Sequence, residues 1–238
     1  MIFSAGLGTR FKPWTDKHPK ALAMVNGKSL LQRNIEYLQL NRIKDVIVNV
    51  HHFAEQVEEA IEKNNGWGSH IRISDERNEL LETGGGLLLA KPLFQPGERF
   101  VTCNADILTD LDIHLLLAFH KEKKALISFG VTRRTSSRYL LFDDHDRLCG
   151  WKNNSTGEEK IAIPGRTLKE KAYSCVVVCE YEIFRLMEEK GFTGKFSLID
   201  VYLALAADHP IMGYDHTGDR LVDVGKPGSV ALAESMFS

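Results

Sequence analysis

The sequence predicts an α/β protein built on a doubly wound, mostly parallel central sheet, with an antiparallel portion added in its second half. Three observations lead there. Across the first 124 residues, short apolar runs alternate with segments of helical period. The spacing between runs leaves room for crossover helices, and such crossovers are right-handed and join parallel strands. After residue 124 the alternation gives way to β segments separated by turn-forming residues.

Each element has a local reason. Ile2 to Ala5 reads as a buried strand that runs into a glycine-rich loop. Ser29 is placed to cap a helix running to about Asn41, with Leu30, Leu31, Ile35 and Leu38 on one face. Asp45 to Val50 is a second strand and Phe53 to Lys63 an acidic amphipathic helix. Ile71 to Ser74 is a third strand, and Gly85 to Lys91 a short helix ended by Pro92. Arg99 to Asn104 is a fourth strand, and Leu111 to Lys123 a helix that Asp110 is placed to cap. Beyond it, Ala125 to Thr132, Tyr139 to Phe142 and Ala172 to Cys179 read as β segments. Turns are expected at residues 143–146 and 153–157. Helices near Tyr181 to Lys190 and Ser197 to Asp208, strands into Tyr214 and over Leu221 to Val224, and a helix from Pro227 on complete the chain.

The chain has 238 residues, 43% hydrophobic and 26% charged, an ordinary globular composition. No linker or internal repeat marks a boundary. The reading is therefore one domain, 1–238, with a first half to residue 124 and a second half from 125. A net charge of −2 argues against nucleic acid or an anionic membrane as partner. No apolar run reaches the roughly 20 residues of a membrane helix, and Met1 to Ala5 has no signal-peptide character. Cys103, Cys149, Cys175 and Cys179 form no C-x-x-C pair and read as small buried thiols of a reduced, cytoplasmic protein. In such a protein the glycosylation-like triplets at Asn153 and Asn154 carry no meaning. Nothing in the sequence sets an oligomeric state.

The strongest local signal is Ala5-Gly6-Leu7-Gly8-Thr9-Arg10, followed by Pro13, Thr15, Pro19 and Lys20. It lies at the carboxyl end of the first strand, where doubly wound sheets bind ligands. Glycines there let backbone N–H groups approach phosphate oxygens, Arg10 offers a fork of donors, and Lys20 adds a point charge. Two familiar motifs are excluded. A dinucleotide fingerprint needs glycine where Phe11 stands, and a P-loop ending at Gly27-Lys28-Ser29 needs glycine where Leu22 stands.

Gly6 to Thr15 together with Pro19-Lys20-Ala21-Leu22 resembles the opening signature of the sugar-phosphate nucleotidyltransferases. Trp14 stands where many members have Leu. The resemblance implies a Rossmann-like nucleotide-diphospho-sugar transferase fold, with substrates a nucleoside triphosphate and a sugar 1-phosphate. Ala5, Gly6, Gly8, Thr9 and Arg10 would wrap the triphosphate, and Arg10 and Lys20 would act on the phosphates in transfer. Members carry two or three more residues before the first strand, so a short N-terminal extension is expected.

A second cluster, Glu82-Thr83-Gly84-Gly85-Gly86, reads as a tight turn before a helix. Its free N–H groups and absent side chains also suit a base or ribose pressed against the backbone. The resemblance places Thr83 and Gly84 against the nucleobase and Glu76 at its edge. With Ile73-Ser74-Asp75-Glu76 and His51 to Val57, the cluster is most similar to the N-acetylmuramate 1-phosphate uridylyltransferases of cell-wall recycling. His51 and His52 could ligate a metal, but structural hydrogen bonds at a strand end are the stronger reading.

Asp106, in Asn104-Ala105-Asp106, and Asp223, in Val222-Asp223-Val224-Gly225, each read singly as a cap or turn residue. As a pair they suit Mg²⁺, a hard cation held by one or two carboxylates with phosphates completing its shell. The resemblance makes them the two metal ligands and leaves the role of Lys226 open. For the sugar it points to the segment around Ser174, with Cys175 where glycine is common. Asn104, Trp151 and Lys195 are further candidates, Lys195 as a charge for a sugar carboxylate.

Three other readings compete. Guanylyl transfer to mannose or heptose 1-phosphate keeps the mechanism and changes the substrates. A sensor derived from the family would be expected to lose Arg10, Lys20, Asp106 or Asp223, and all four are present. An NAD-dependent enzyme would need the missing third glycine.

Overall fold

A computed structural model of the chain describes residues 1–237. Two compact units are formed. The first comprises Met1–Phe94, Cys103–Leu111 and Arg220–Ser238; the second comprises Gln95–Thr102 and Asp112–Asp219. The last stretch of chain returns to the first unit because its strand pairs with a strand formed more than a hundred residues earlier.

In the first unit, β1 (Ile2–Phe3) leads into three short 3₁₀ turns and then the hairpin of β2 (Met24–Val25) and β3 (Lys28–Ser29). This hairpin was not expected. Its signal was Asn26-Gly27, whose φ values of 46° and 74° are those of a tight two-residue turn. Helix α1 (Leu30–Leu40) follows, with Ser29 Oγ accepting from Gln32 N at 3.1 Å as expected of its cap. Then come β4 (Asp45–Val50), α2 (Ala54–Lys63), β5 (His70–Asp75) and α3 (Glu82–Leu89). The β4 residues Val46 to Val50 are all buried, as in a strand covered on both faces. β6 (Phe100–Asn104) contributes its last residues to this unit, where Ile2 pairs in parallel with both Cys103 and Val48. β4 in turn pairs in parallel with β5. The parallel order β6-β1-β4-β5 is the doubly wound sheet that the alternating pattern predicts. β7 (Ile107–Thr109) leaves it to meet a late strand.

The second unit holds α4 (Ile113–Glu122), β8 (Ile127–Thr132), β9 (Arg138–Phe142), β10 (Leu148–Asn153), β11 (Glu158–Ile161), β12 (Lys169–Cys179), α5 (Ile183–Glu189), α6 (Leu198–Ala206) and β13 (Ile211–Asp215). β12 pairs antiparallel with β8 and β9, β10 with β9 and β11, while β13 runs parallel to β8. Phe129, Phe142, Phe184 and Tyr202 fill its core. β10 and β11 were not foreseen, because Leu148-Cys149-Gly150-Trp151-Lys152 lacks a clean alternation. The strand instead relies on Gly150, where a Cβ would come within 2.6 Å of the Lys160 carbonyl. The cap of α4 is Asp112, which accepts from His114 N at 2.7 Å. Asp110, the expected cap, is engaged by Arg220 through two bonds of 2.7 Å.

The first unit closes with β14 (Leu221–Asp223), antiparallel to β7, and α7 (Val230–Met236). Phe11, Ala23, Val25, Leu30, Leu108, Val222, Val224 and Ala233 form one core cluster there. Phe11, 4% exposed, is thus the anchor that ties the glycine-rich loop to the β7–β14 ribbon. A glycine at this position would leave that cluster without the Phe11 ring.

Candidate active site

The glycine-rich loop is shaped by its own contacts. Gly8 adopts φ +59°, and a Cβ there would lie 2.9 Å from Thr15 Cγ2 and 3.0 Å from Lys20 Cβ. The Gly8 carbonyl accepts from Thr15 Oγ1 at 2.9 Å and from Phe11 N at 2.7 Å. The loop therefore folds back so that Lys20 packs under Gly8, while Gly6, Thr9 and Arg10 stay exposed and Ala5 is buried.

Lys20 Nζ meets Asp106 Oδ2 at 2.5 Å, and the two side chains are 12% and 26% exposed. Asp106 is held from behind. Buried Asn34, on α1, donates to the carbonyls of Leu30 and Ala105, each at 2.9 Å, and Val224 N donates to the Asp106 carbonyl at 2.8 Å. Asn34 escaped the sequence reading because an Asn on the core face of a helix carries no motif. In the β7–β14 ribbon Asp223 pairs with Ile107, the residue after Asp106, so the two carboxylates stand at one end of it. At Gly225 a Cβ would come within 2.6 Å of Asp223 Oδ1 and 3.0 Å of an Arg10 guanidinium nitrogen. Lys20 thus lies on Asp106, Arg10 and Asp223 meet at Gly225, and the β7–β14 pairing brings the two carboxylates to one end of the ribbon.

These residues suit a magnesium ion. The donors are hard carboxylate oxygens from two sequence-distant segments, Asp106 in the turn before β7 and Asp223 at the end of β14. Among the described residues no group of three His, Cys, Asp or Glu could close a protein-only cage. An ion there would need phosphate or water oxygens, the manner in which Mg²⁺ is commonly held.

The three-glycine segment differs from expectation. Gly84, Gly85 and Gly86 are buried within the first turns of α3 rather than forming a turn before it, and Thr83 is half-buried beside them. Glu76, expected at an open base edge, is only 2% exposed. Its Oε1 accepts from Asn49 Nδ2 at 2.6 Å, and its carbonyl accepts from His51 Nδ1 at 2.7 Å. Burial raises its pKa above the ordinary carboxylate value, against the lowering effects of Asn49, the Leu81 amide and His51. His51 has the structural hydrogen bond preferred for it, and His52 packs its ring on Phe53 at 3.9 Å.

Of the residues expected on the sugar, Asn104 ends β6 in the first unit and is partly exposed. Trp151, Ser174 and Lys195 belong to the second unit. Trp151 lies on β10, with Lys160 Nζ 5.6 Å above its ring, and Lys195 is exposed after Gly194. Ser174 is fully buried with its hydroxyl 2.7 Å from His216 Nε2, so that group is spent on an internal bond rather than open to a ligand. Cys175 beside it takes φ +58° at a bulge between Tyr173 and Val177, the conformation for which glycine is the easier residue. Cys103, Cys149 and Cys179 are buried free thiols, Cys103 pushed up to about 11 by burial, while Cys175 is half-exposed.

The nucleotidyl transferase family is matched over residues 1–140. The N-acetylmuramate alpha-1-phosphate uridylyltransferase of Caulobacter vibrioides is 30% identical, over 100% of this chain and 96% of its own. The protein of the same name from Neisseria meningitidis is 37% identical over 47% of this chain and 48% of its own. Among solved structures, HddC from Yersinia pseudotuberculosis superposes with a TM-score of 0.77 at 20% identity, covering 100% of this chain and 98% of that one. At that identity the likeness bears on the fold.

Proposed function

We propose that this chain, which belongs to the nucleotidyl transferase family, transfers a nucleotidyl group from a nucleoside triphosphate to a sugar 1-phosphate and releases pyrophosphate. The observation that carries this reading is Lys20 on Asp106, with Arg10 and Asp223 meeting at Gly225, beside the glycine-rich loop. Such a cluster serves a reaction in which two phosphate anions must meet. An oxygen of the sugar phosphate attacks the α-phosphorus, and the bond from that phosphorus to the β-bridging oxygen breaks. The bonding electrons leave with pyrophosphate. The attacking group is already an anion, so catalysis rests on positioning and charge neutralisation rather than on an added base.

The residues divide this work. Exposed Gly6 and Thr9 present backbone to the triphosphate, and Arg10 offers its guanidinium fork to the departing phosphates. Lys20, rigidly seated under Gly8, neutralises charge on the phosphates in transfer. Asp106 and Asp223 would hold Mg²⁺, which when bound supplies charge neutralisation at the phosphates. Lys20 pairs with Asp106, so a cation held by that carboxylate would leave the Lys20 ammonium to the phosphates.

For the finer specificity we propose UTP and N-acetylmuramate 1-phosphate, a step of cell-wall recycling. The support is the Glu82 to Gly86 segment and the two uridylyltransferase relatives. Asn104, Trp151 and Lys195 are the proposed sugar contacts, each tested by an effect confined to the KM of the sugar phosphate.

The test is pyrophosphate release with UTP, GTP, CTP, ATP and dTTP, each crossed with N-acetylmuramate, N-acetylglucosamine, glucose, mannose and heptose 1-phosphates. Release with UTP and N-acetylmuramate 1-phosphate supports the finer reading. Release with GTP and mannose or heptose 1-phosphate keeps the reaction and replaces both substrates. No release with any pair in Mg²⁺ overturns the enzyme reading in favour of a sensor.

A further inference from the structure

The ends of β1, β4 and β5 and the start of α3 are tied together by one buried polar chain. Ser4 N donates to Asn49 Oδ1 at 2.7 Å, and Ser4 Oγ donates to the Asn49 carbonyl. Asn49, 2% exposed, passes its amide on to Glu76 Oε1 at 2.6 Å. Glu76 then packs on α3, where a Cβ at Gly86 would run into Glu76 Oε1 and lie 3.1 Å from both Glu76 Cδ and Asn49 Nδ2. Ser4 immediately precedes the glycine-rich loop, and Gly86 closes the three-glycine segment. The second carboxylate oxygen, Glu76 Oε2, is buried with no hydrogen-bond partner, and the Glu76 carboxyl is raised in pKa by that burial. A structure seeking only stability would place an apolar group there.

We propose that Asn49 and Glu76 form a positioning couple that sets the distance between the phosphate-binding loop and the three-glycine segment of α3. In this way they govern how a nucleoside triphosphate, gripped at both ends, is seated. The inference rests on the nucleotide-site reading above. It assigns Glu76 a role through Gly86 and Asn49 rather than through contact with the base. Gly86 is required on this account because the couple fills the space a side chain would need. An Ala at 86 overlaps Glu76 Oε1 and crowds Asn49 Nδ2, so the couple and α3 must part, displacing one grip relative to the other.

The test is a cycle of Glu76→Ala, Gly86→Ala and the double variant, with Glu76→Gln as the conservative control. UTP and GTP are titrated calorimetrically in Mg²⁺, and KM and kcat are measured where turnover occurs. Glu76→Ala and Gly86→Ala should each weaken binding of the preferred nucleotide about tenfold and narrow the UTP-to-GTP ratio, with KM for the sugar phosphate unchanged. The double variant should bind better than the product of the single losses, because Glu76→Ala makes room for the new methyl. Glu76→Gln keeps the shape and the acceptor for Asn49, so it should restore binding to within about twofold of wild type. Glu76→Ala that folds with wild-type thermal stability and unchanged nucleotide affinity overturns the proposal, as does strict additivity in the cycle. If Glu76→Ala fails to fold, Glu76→Gln and Gly86→Ala decide the matter: loss in the latter alone supports the couple, and loss in neither overturns it. Nucleotide binding that responds in this way without turnover would retain the couple while removing the transferase reading. No nucleotide binding by the wild-type chain would remove both.

Discussion

Gly225→Ala places one methyl group where two catalytic candidates already meet. Its Cβ would sit 2.6 Å from Asp223 Oδ1 and 3.0 Å from the Arg10 guanidinium, whereas ordinary van der Waals contact begins near 3.4 Å. The carboxylate must therefore withdraw by about 0.8 Å and the guanidinium by about 0.4 Å. Both obstacles are ends of exposed side chains that can move. The fold should lose no more than about 1 kcal/mol, the range of a substitution that forces small shifts. Chemistry is less forgiving, since a misplacement near 1 Å of a positioning group costs about 10²-fold, or about 2.7 kcal/mol in the transition state. The assay is kcat/KM from pyrophosphate release, with thermal unfolding measured on the same preparation. A fall of about a hundredfold with a melting temperature within a few degrees of wild type is expected. Wild-type kcat/KM in Gly225→Ala would refute the argument that Arg10 and Asp223 work as neighbours across this glycine.

Asp106→Ala and Asp223→Ala should each abolish turnover while circular dichroism stays that of the wild type; full activity in either removes it from the metal site. Excess EDTA should stop the reaction and Mg²⁺ restore it, and activity persisting in chelator would contradict the assignment. Lys20→Ala should lower kcat by orders of magnitude, and an unchanged rate would separate Lys20 from the reacting phosphates. Burial raises the Glu76 pKa above its unfolded value near 4.3, so its protonated form is favoured by folding. The stability that Glu76 contributes is then fully present below about pH 4 and is lost as pH rises through its folded value. Chemical denaturation of wild type and Glu76→Gln from pH 4 to 8 should show the difference moving against wild type as pH rises, and a pH-independent difference would exclude the shift.

The alternation of β and helical periods foretold the parallel strands because each carries its own pattern: Val46-Ile47-Val48 is a short β-branched run of the kind a strand covered on both faces carries. The short motifs were legible for a related reason. Arg10, Lys20, Asp106 and Asp223 are residue types whose chemistry is specific even when their neighbours in space are unknown. Elements that depend on a partner were harder to read. β10 reads as irregular until β9 and β11 flank it, and Asp110 looks like a cap until Arg220 claims it from across the chain.

By itself the sequence determined the fold class, since periodicity is a local property, and it singled out the glycine-rich loop and the two carboxylates as candidates. Only the tertiary structure decided which polar groups are free to meet a ligand. Ser174 and Glu76 are as polar on paper as Arg10, whose side chain is exposed. Yet Ser174 is spent on His216, 42 residues away, and Glu76 on Asn49, 27 residues before it. Burial and hydrogen-bond satisfaction are set by segments that meet only in the folded chain, so no reading of either residue among its sequence neighbours could have supplied them.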